Sequence, residues 1–462
     1  MSSRIALVAL LAACGSTPQH DTAPGNGRGP ATDSDPDGPH RGPVAAQVQP
    51  LVDGQVVSAI VIGLYDAGHD EIYGFGKGPH GAPPNGHTLF ELGGLTKIYT
   101  GLLFADAVQR KELDPDADLA DLLPPGVTSP TRDGATITLR ELALDSAGMP
   151  RMPPSVVALG ARPDPYGDYS EDRLYADLVH TQLETKPGTQ VTSSTYGAGL
   201  LGFVIGRKLG TGYARAVETR VLAPLGLHDT FVDVVPPAAA PRRAAGTSTD
   251  LAPVLPWRWS ALAGGGGLIS DARDQLALLA AALDSPESRR PLHGALKFAL
   301  EPALDHEGQN EGLGWEIDSD GRYWQAGGTG GFHAFIGFDP KTRRGFVILA
   351  ATSNTIIEQL AGAMTKILRD EPVPAPVMPT AAQLAALAGH YELSKQKLTI
   401  AATGNRLYLE ADTGKLRLVP ISDHEFWIEE LQTVAVFERD GDKIARLVFV
   451  AGPNQLTAAR VD

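Results

Sequence analysis

The stretch Leu89-Phe90-Glu91-Leu92-Gly93-Gly94-Leu95-Thr96-Lys97-Ile98-Tyr99-Thr100 decides the fold of this chain. From Leu95 onward the apolar residues recur at helical spacing, and the pattern continues through Leu102 and Leu103. The remaining positions of this segment are mostly Ala, Gly and Thr. The sequence therefore predicts a helix over 95–108 that is buried on nearly every side, with a lysine, Lys97, in its first turn.

Strand patterns flank this helical region on both sides. Residues 56–64 form a run rich in β-branched side chains, and residues 335–338 and 345–350 enclose a turn, which predicts an antiparallel hairpin. Further helices are predicted over 197–208, 213–222 and 274–283. Strands at both ends with helices between them predict an α+β fold, an antiparallel sheet flanked by helices.

A second domain follows a stiff, proline-rich linker at 371–380. Beyond it, short alternating strands are separated by turns that contain Gly, Asn and Asp. Regularly spaced strands of this kind predict a small all-β barrel over residues 381–462.

Several motifs follow the opening stretch in a fixed order, at 137–150, 186–202, 223–230, 266–270 and 327–332. Together they resemble the serine β-lactamases and penicillin-binding proteins of the class C and DD-peptidase type, over about residues 56–354. The last domain resembles the lipocalin-like barrels that are often appended to these proteins. The resemblance implies a β-lactamase/transpeptidase-like domain with an all-α lobe over residues 47–370.

The resemblance also implies where an active site lies. The family places a nucleophilic Ser three residues before a Lys at the start of the central helix, so that both side chains share one face. Lys97 matches that lysine, but Gly94 stands at the nucleophile position. The Tyr-Ser-Asn motif falls on Ser193-Ser194-Thr195, and the third motif falls on Gln325-Ala326-Gly327. All three motifs are therefore altered at their reactive residue.

These departures predict a pseudoenzyme that binds ligands without acylation. The family's oxyanion-hole N–H groups map to Gly94 and Gly328 and need no side chain, and Lys97 is expected to attract a carboxylate or carbonyl. The expected ligand is peptidoglycan-like, a peptide or β-lactam-like, or else a protein partner. Two alternatives stay open. One is an active hydrolase that uses a water activated by Lys97 or a displaced hydroxyl from Thr96, Thr100, Ser193 or Ser194. The other is a structural scaffold of the cell envelope.

Composition excludes other classes of protein. The 462 residues include 39 Lys and Arg against 54 Asp and Glu, a net charge of −15, which argues against a nucleic-acid partner. The 12 His residues show no metal-ligand spacing. The glycine run at 264–267 is not a phosphate-binding loop, because no Lys-Ser/Thr pair follows it. Neither a metal nor a cofactor is therefore expected.

The single cysteine, Cys14, lies in the pattern of a membrane anchor. It follows Leu11-Ala12-Ala13 and a short apolar run that begins after Arg4. This resembles a bacterial lipobox and implies a signal peptide over 1–13, acylation of Cys14, and attachment to the periplasmic side of the cell envelope, in the outer membrane. An ordinary secretory signal is the alternative. Residues 14–46 are poor in apolar side chains and predict a disordered tether.

Overall fold

The computed structural model describes residues 34–461, apart from 36, 161, 285–287, 307–308 and 412–413. The strands of its first domain are β1 (Ala59–Asp66), β2 (His69–Gly76), β3 (Phe90–Glu91), β4 (Phe231–Val232), β5 (Leu268–Ser270), β6 (Leu304–His306), β7 (Gln309–Gly312), β8 (Trp315–Ile317), β9 (Tyr323–Gly328), β10 (His333–Asp339) and β11 (Arg344–Ala350).

The helices of the described chain are α1 (Arg41–Asp53), α2 (Thr96–Gln109), α3 (Leu139–Ala143), α4 (Pro154–Ala158), α5 (Glu171–His180), α6 (Thr195–Lys208), α7 (Tyr213–Val217), α8 (Ala223–Leu225), α9 (Ala263–Gly266), α10 (Ala272–Ala282), α11 (His293–Ala299), α12 (Gln359–Ile367) and α13 (Ala381–Leu387). Among these described helices, none combines the length and apolarity that a bilayer crossing requires.

One eight-stranded antiparallel sheet organises the first domain, in the order β2-β1-β11-β10-β9-β8-β7-β6. The predicted hairpin is confirmed, because β10 pairs with β11 from His333 opposite Ala350 to Asp339 opposite Arg344. Side chains alternate between two cores, as Val61 packs with the core that contains α2 and α10, whereas Ile60 packs with α1 and α12 on the other face. The sheet therefore lies between helical layers, and the predicted α+β class is confirmed.

Helix α2 is the buried centre of this domain, as its sequence predicts. Every residue from Thr96 to Ala107 is buried, including Lys97. A 3₁₀ turn, Gly93–Leu95, leads into the helix, and Gly93 adopts a φ of 50°, which favours glycine. This turn places the start of α2 against the end of β9.

The predicted tether extends too far toward the domain. Helix α1 begins at Arg41, and its residues Val44, Val48 and Leu51 are buried in the outer core at helical spacing. Gly42 and Pro43 stand in the first turn of α1, so composition alone assigns this stretch to the tether. The buried residues show that 41–46 belong to the folded domain. The predicted signal peptide (1–13) and Cys14 lie outside the described residues.

The C-terminal domain is a closed antiparallel barrel of eight strands, and the expected barrel is confirmed. Phe426 and Phe437 meet edge to face in its apolar interior. The buried Arg417 joins the barrel to the first domain by donating to the backbone carbonyls of Thr249 and Gln55. The strands are β12 (Gly389–Leu393), β13 (Gln396–Thr403), β14 (Arg406–Ala411), β15 (Gly414–Pro420), β16 (Glu425–Ile428), β17 (Thr433–Asp440), β18 (Lys443–Ala451) and β19 (Asn454–Arg460).

Candidate active site

Lys97 is the charged centre of the predicted site. Its side chain is 5% exposed, and its ammonium group donates hydrogen bonds to Asp145 Oδ2 at 2.5 Å and to Ser193 Oγ at 2.8 Å. Asp145 follows α3, and its Oδ1 accepts a hydrogen bond from the backbone N–H of Ser194 at 3.1 Å. The structure therefore brings together two predicted residues, Lys97 and Ser193, and adds Asp145 as a counter-charge that already neutralises the lysine.

Gly94 lies at the predicted nucleophile position, directly against the backbone of β9. A Cβ atom placed on Gly94 would lie 2.7 Å from the carbonyl oxygen of Ala326 and 3.4 Å from Cα of Gly327. Cβ atoms in proteins essentially never approach backbone oxygen below 3.0 Å. The space that a side chain would need at position 94 is therefore filled by the strand.

Glycines on both sides make this close approach possible. A Cβ on Gly327 would lie 2.1 Å from the carbonyl oxygen of Leu92 and 2.4 Å from the nitrogen of Gly94. A Cβ on Gly93 would lie 2.7 Å from the nitrogen of Gly328. The turn before α2 and the end of β9 therefore meet backbone to backbone, and the two predicted oxyanion-hole residues, Gly94 and Gly328, lie on the two sides of this contact.

Gln325 stands where the family's third motif begins, and its amide is engaged within the sheet. It is buried, its Nε2 donates to the carbonyl of Gly314 at 3.1 Å, and its Oε1 accepts from the backbone N–H of Ala326 at 3.0 Å. The first of these bonds ties β9 to the turn between β7 and β8. The side chain of Gln325 is thus held by backbone groups and supplies no charge beside Lys97.

Thr195 and Ser194 belong to the N-terminus of α6. Ser194 caps this helix, since its Oγ accepts from the N–H of Gly197 at 2.8 Å and donates to the carbonyl of Pro150 at 2.7 Å. Thr195 is the first helical residue, and its backbone oxygen packs against Gly265. Of the three aligned residues, Ser193 is the one whose side chain reaches Lys97.

A family model described as Beta-lactamase matches residues 44–364 of the chain. The chain belongs to the Beta-lactamase family. It is 31% identical over 331 residues to a Homo sapiens protein described as beta-lactamase-like 1, covering 65% of this chain and 63% of that protein, which is less than two thirds of its length. The D-alanyl-D-alanine-carboxypeptidase/endopeptidase AmpH of Escherichia coli K12 is 24% identical over 64% of this chain and 80% of its own length.

A solved structure of a class C beta-lactamase shares the fold of this Beta-lactamase-family chain. It has a TM-score of 0.63 and 21% identity, and the match covers 72% of this chain and 96% of that one. A Beta-lactamase of Escherichia coli K12 is 27% identical over 66% of this chain and 86% of its own length.

Two glutamates make the surroundings of Lys97 acidic in this Beta-lactamase-family protein. Glu311 on β7 lies directly across from Glu316 on β8, so both side chains share one face of the sheet. Burial, reinforced by the charges of Glu316 and Asp145, raises the pKa of Glu311 to about 9. Burial raises the pKa of Glu316 to about 7. Carboxyl groups that are costly to ionise therefore face the Lys97–Asp145 pair.

Sequence reasoning missed Asp145, Glu311 and Glu316. Asp145 lies in the segment 137–150 that carries the resemblance, but no reactive residue is assigned to that position. The two glutamates flank Gly312-Leu313-Gly314-Trp315. A glycine-rich segment of this kind favours a turn between two strands, so the sequence does contain a pattern that predicts this hairpin. Only the folded structure brings these residues to Lys97.

Proposed function

We propose that this Beta-lactamase-family protein binds peptidoglycan-like peptides in its cleft without forming an acyl-enzyme. The observation that carries the proposal is the contact of Gly94 with β9, where a side-chain Cβ would lie 2.7 Å from the carbonyl oxygen of Ala326. Position 94 offers neither a hydroxyl group nor room for one. Acyl transfer at this position needs a nucleophilic side chain, so ligand binding is the function that the remaining backbone groups support.

The charge arrangement supports the same proposal. Lys97 donates hydrogen bonds to both Asp145 and Ser193, and a lysine that acts as a general base must instead accept a proton. Gln325 replaces the cationic or titratable group of the third motif. Since Asp145 already matches the charge of Lys97, we expect ligands to be held by backbone hydrogen bonds more than by attraction to this lysine.

The expected ligand class follows from the relatives. The Escherichia coli relative carries the name D-alanyl-D-alanine-carboxypeptidase/endopeptidase, so a peptide that ends in D-alanyl-D-alanine is the first ligand to test. A location on the periplasmic side of the cell envelope, with Cys14 as the lipid anchor, is part of the proposal and would place the cleft near such peptides.

The test combines covalent and non-covalent readouts. Purified protein is incubated with a fluorescent penicillin, a chromogenic cephalosporin and an activated ester, and its intact mass is measured. We expect no adduct and no turnover, and we expect a D-alanyl-D-alanine peptide to raise Tm. Gly94→Ser should regain no acylation, because its Cβ collides with β9. A stoichiometric adduct on the unmodified protein would overturn the proposal, and no Tm shift with any such peptide would favour a scaffold role.

A second function, a hydrolase with a displaced nucleophile, is favoured by one observation. The exposed Ser193 places its Oγ 2.8 Å from Lys97 Nζ, a distance at which a lysine can exchange a proton with a serine. Ester turnover or fluorophosphonate labelling that disappears in Ser193→Ala and persists in Thr192→Ala, a neighbouring exposed hydroxyl, would establish this function in place of the first.

A further inference from the structure

A histidine and two aspartates from separate segments meet outside the Lys97 cleft. His87 lies in the loop before β3, Asp229 follows α8, and Asp271 is the N-cap of α10. His87 Nδ1 lies 3.3 Å from Asp229 Oδ2 and 3.5 Å from Asp271 Oδ2. Within the part of the chain that the structure describes, these are the three residues whose ligand atoms all lie within 4.8 Å of one another.

Asp271 is the unusual member of this group, because its carboxylate is fully buried and only one of its two oxygens accepts a hydrogen bond. Its side chain is 1% exposed. Oδ1 accepts a hydrogen bond from the N–H of Asp274 at 2.9 Å, which caps α10. Oδ2 has no hydrogen-bond partner, and its 3.5 Å separation from His87 exceeds the usual 2.7–3.2 Å range. A buried carboxylate oxygen without a hydrogen-bond donor is stabilised by a nearby cation, and Oδ2 of Asp271 faces the histidine nitrogen.

The spacing of the donor atoms fits a metal ion better than it fits hydrogen bonds. Zinc binds histidine nitrogen and carboxylate oxygen at about 2.1 Å, which places neighbouring ligand atoms about 3.0–3.4 Å apart. The observed separations of 3.3 and 3.5 Å lie close to these values. One imidazole and two carboxylates form a ligand set that suits Zn²⁺ or Mn²⁺.

The surroundings support and orient these ligands. Arg242 donates to both oxygens of Asp229, at 2.7 and 2.5 Å, and Arg273 Nη1 lies 2.7 Å from His87 Nε2. The contact of Arg242 with the outer side of Asp229 fixes the orientation of that carboxylate. A cavity of about 570 Å³ borders His87 and Asp229 and offers an entry path and space for water as a further ligand.

We propose that His87, Asp229 and Asp271 form a divalent cation site, with Zn²⁺ as the best-matched ion. Arg273 donates to His87 Nε2, so the ring hydrogen of the metal-free protein lies on Nδ1. When Zn²⁺ binds, Nδ1 of the neutral imidazole holds the ion through its lone pair, and the ring hydrogen moves to Nε2. The guanidinium group of Arg273 must then turn away from that nitrogen. The ion links the loop before β3, the segment after α8 and the start of α10.

The test uses the full chain without an affinity tag, stripped with a chelator and titrated with ZnCl₂ by calorimetry. One site per chain is expected. His87→Gln and Asp271→Asn should each weaken zinc binding at least about 100-fold, whereas His424→Gln, which alters an exposed histidine beside an aspartate in the barrel, should leave it unchanged. Equal zinc binding by the unmodified protein and His87→Gln would refute the site.

A second readout covers the case in which Asp271→Asn fails to fold, since Asp271 also caps α10. Co²⁺ replaces Zn²⁺ and reports its ligands through visible absorption bands. The unmodified protein should show bands of nitrogen and carboxylate ligation that disappear in His87→Gln. Identical spectra for the two proteins would contradict the proposal whatever the behaviour of the aspartate variant.

Discussion

Replacing Glu311 by glutamine should stabilise this protein at alkaline pH. Glu311 faces Glu316 across the β7–β8 pair, beside Asp145. Burial, reinforced by those two negative charges, raises the pKa of Glu311 from 4.5 to about 9. Glutamine has nearly the same shape and cannot ionise, so Glu311→Gln removes the cost of holding an acid in this position.

The sign and size of the effect follow from proton linkage. Glu311 releases its proton near pH 4.5 in the unfolded chain and near pH 9 in the folded one. Between these values the folded state binds more protons, so stability falls as pH rises. Each pH unit in this window costs about 1.4 kcal/mol. The loss at pH 8 is therefore at most about 5 kcal/mol, and it is smaller where water screens the half-buried group.

Urea denaturation at pH 5 and pH 8 measures this effect. We expect Glu311→Gln to differ from the unmodified protein by less than about 1 kcal/mol at pH 5 and to be more stable by about 2–5 kcal/mol at pH 8. Glu301→Gln, a change at an exposed glutamate, is the matched control and should be neutral at both pH values. An identical free energy of unfolding for Glu311→Gln and the unmodified protein at pH 8 would refute the electrostatic account of the cleft.

Three further predictions concern packing and charge. Arg417→Met should leave two backbone carbonyls of the first domain unpaired, lower the free energy of unfolding by about 2–4 kcal/mol, and speed proteolysis of the linker at 371–380. Lys97→Met should leave Asp145 without its cation and cost about 3 kcal/mol in urea denaturation. Gly327→Ala should lower Tm sharply, because its Cβ would lie 2.1 Å from a backbone oxygen, whereas Gly362→Ala, with open space around it, should not.

Much of the fold can be predicted from local sequence patterns. The period of the apolar residues identifies α2, and the turn between two apolar runs identifies the β10–β11 hairpin. Local patterns do not predict the strand order of the main sheet. Strand β1 pairs with β11 across more than 270 residues, and nothing in either segment specifies that partner. Helix α1 is not predicted, and the tether is extended to residue 46, because Gly and Pro near the start of this helix mask three apolar residues at helical spacing.

Some residues of the candidate site can be predicted from the sequence, and others are brought there only by the fold. Lys97 and Ser193 are found through motifs, since each occupies a defined place in an ordered series of family segments. Asp145 and Glu311 reach Lys97 from 48 and 214 residues away in sequence, and no motif assigns them a reactive role. The proposed cation site is similar, as its three ligands come from segments more than 40 residues apart and have no local spacing that predicts a metal.

The altered residues of the cleft act together in the folded chain. Gly94 permits β9 to approach until the carbonyl oxygen of Ala326 lies 2.7 Å from the position that a Cβ atom on residue 94 would take. Strand β9 is held there by β10, which pairs with it from Tyr323 to Gly328, and by the hydrogen bond from Gln325 to the β7–β8 turn. A serine at position 94 must therefore displace a strand that is fixed on both edges, while Lys97 stays bound to Asp145. We thus expect regained acylation to need coordinated changes at the turn, the strand and the lysine's partner, and no single substitution to supply it.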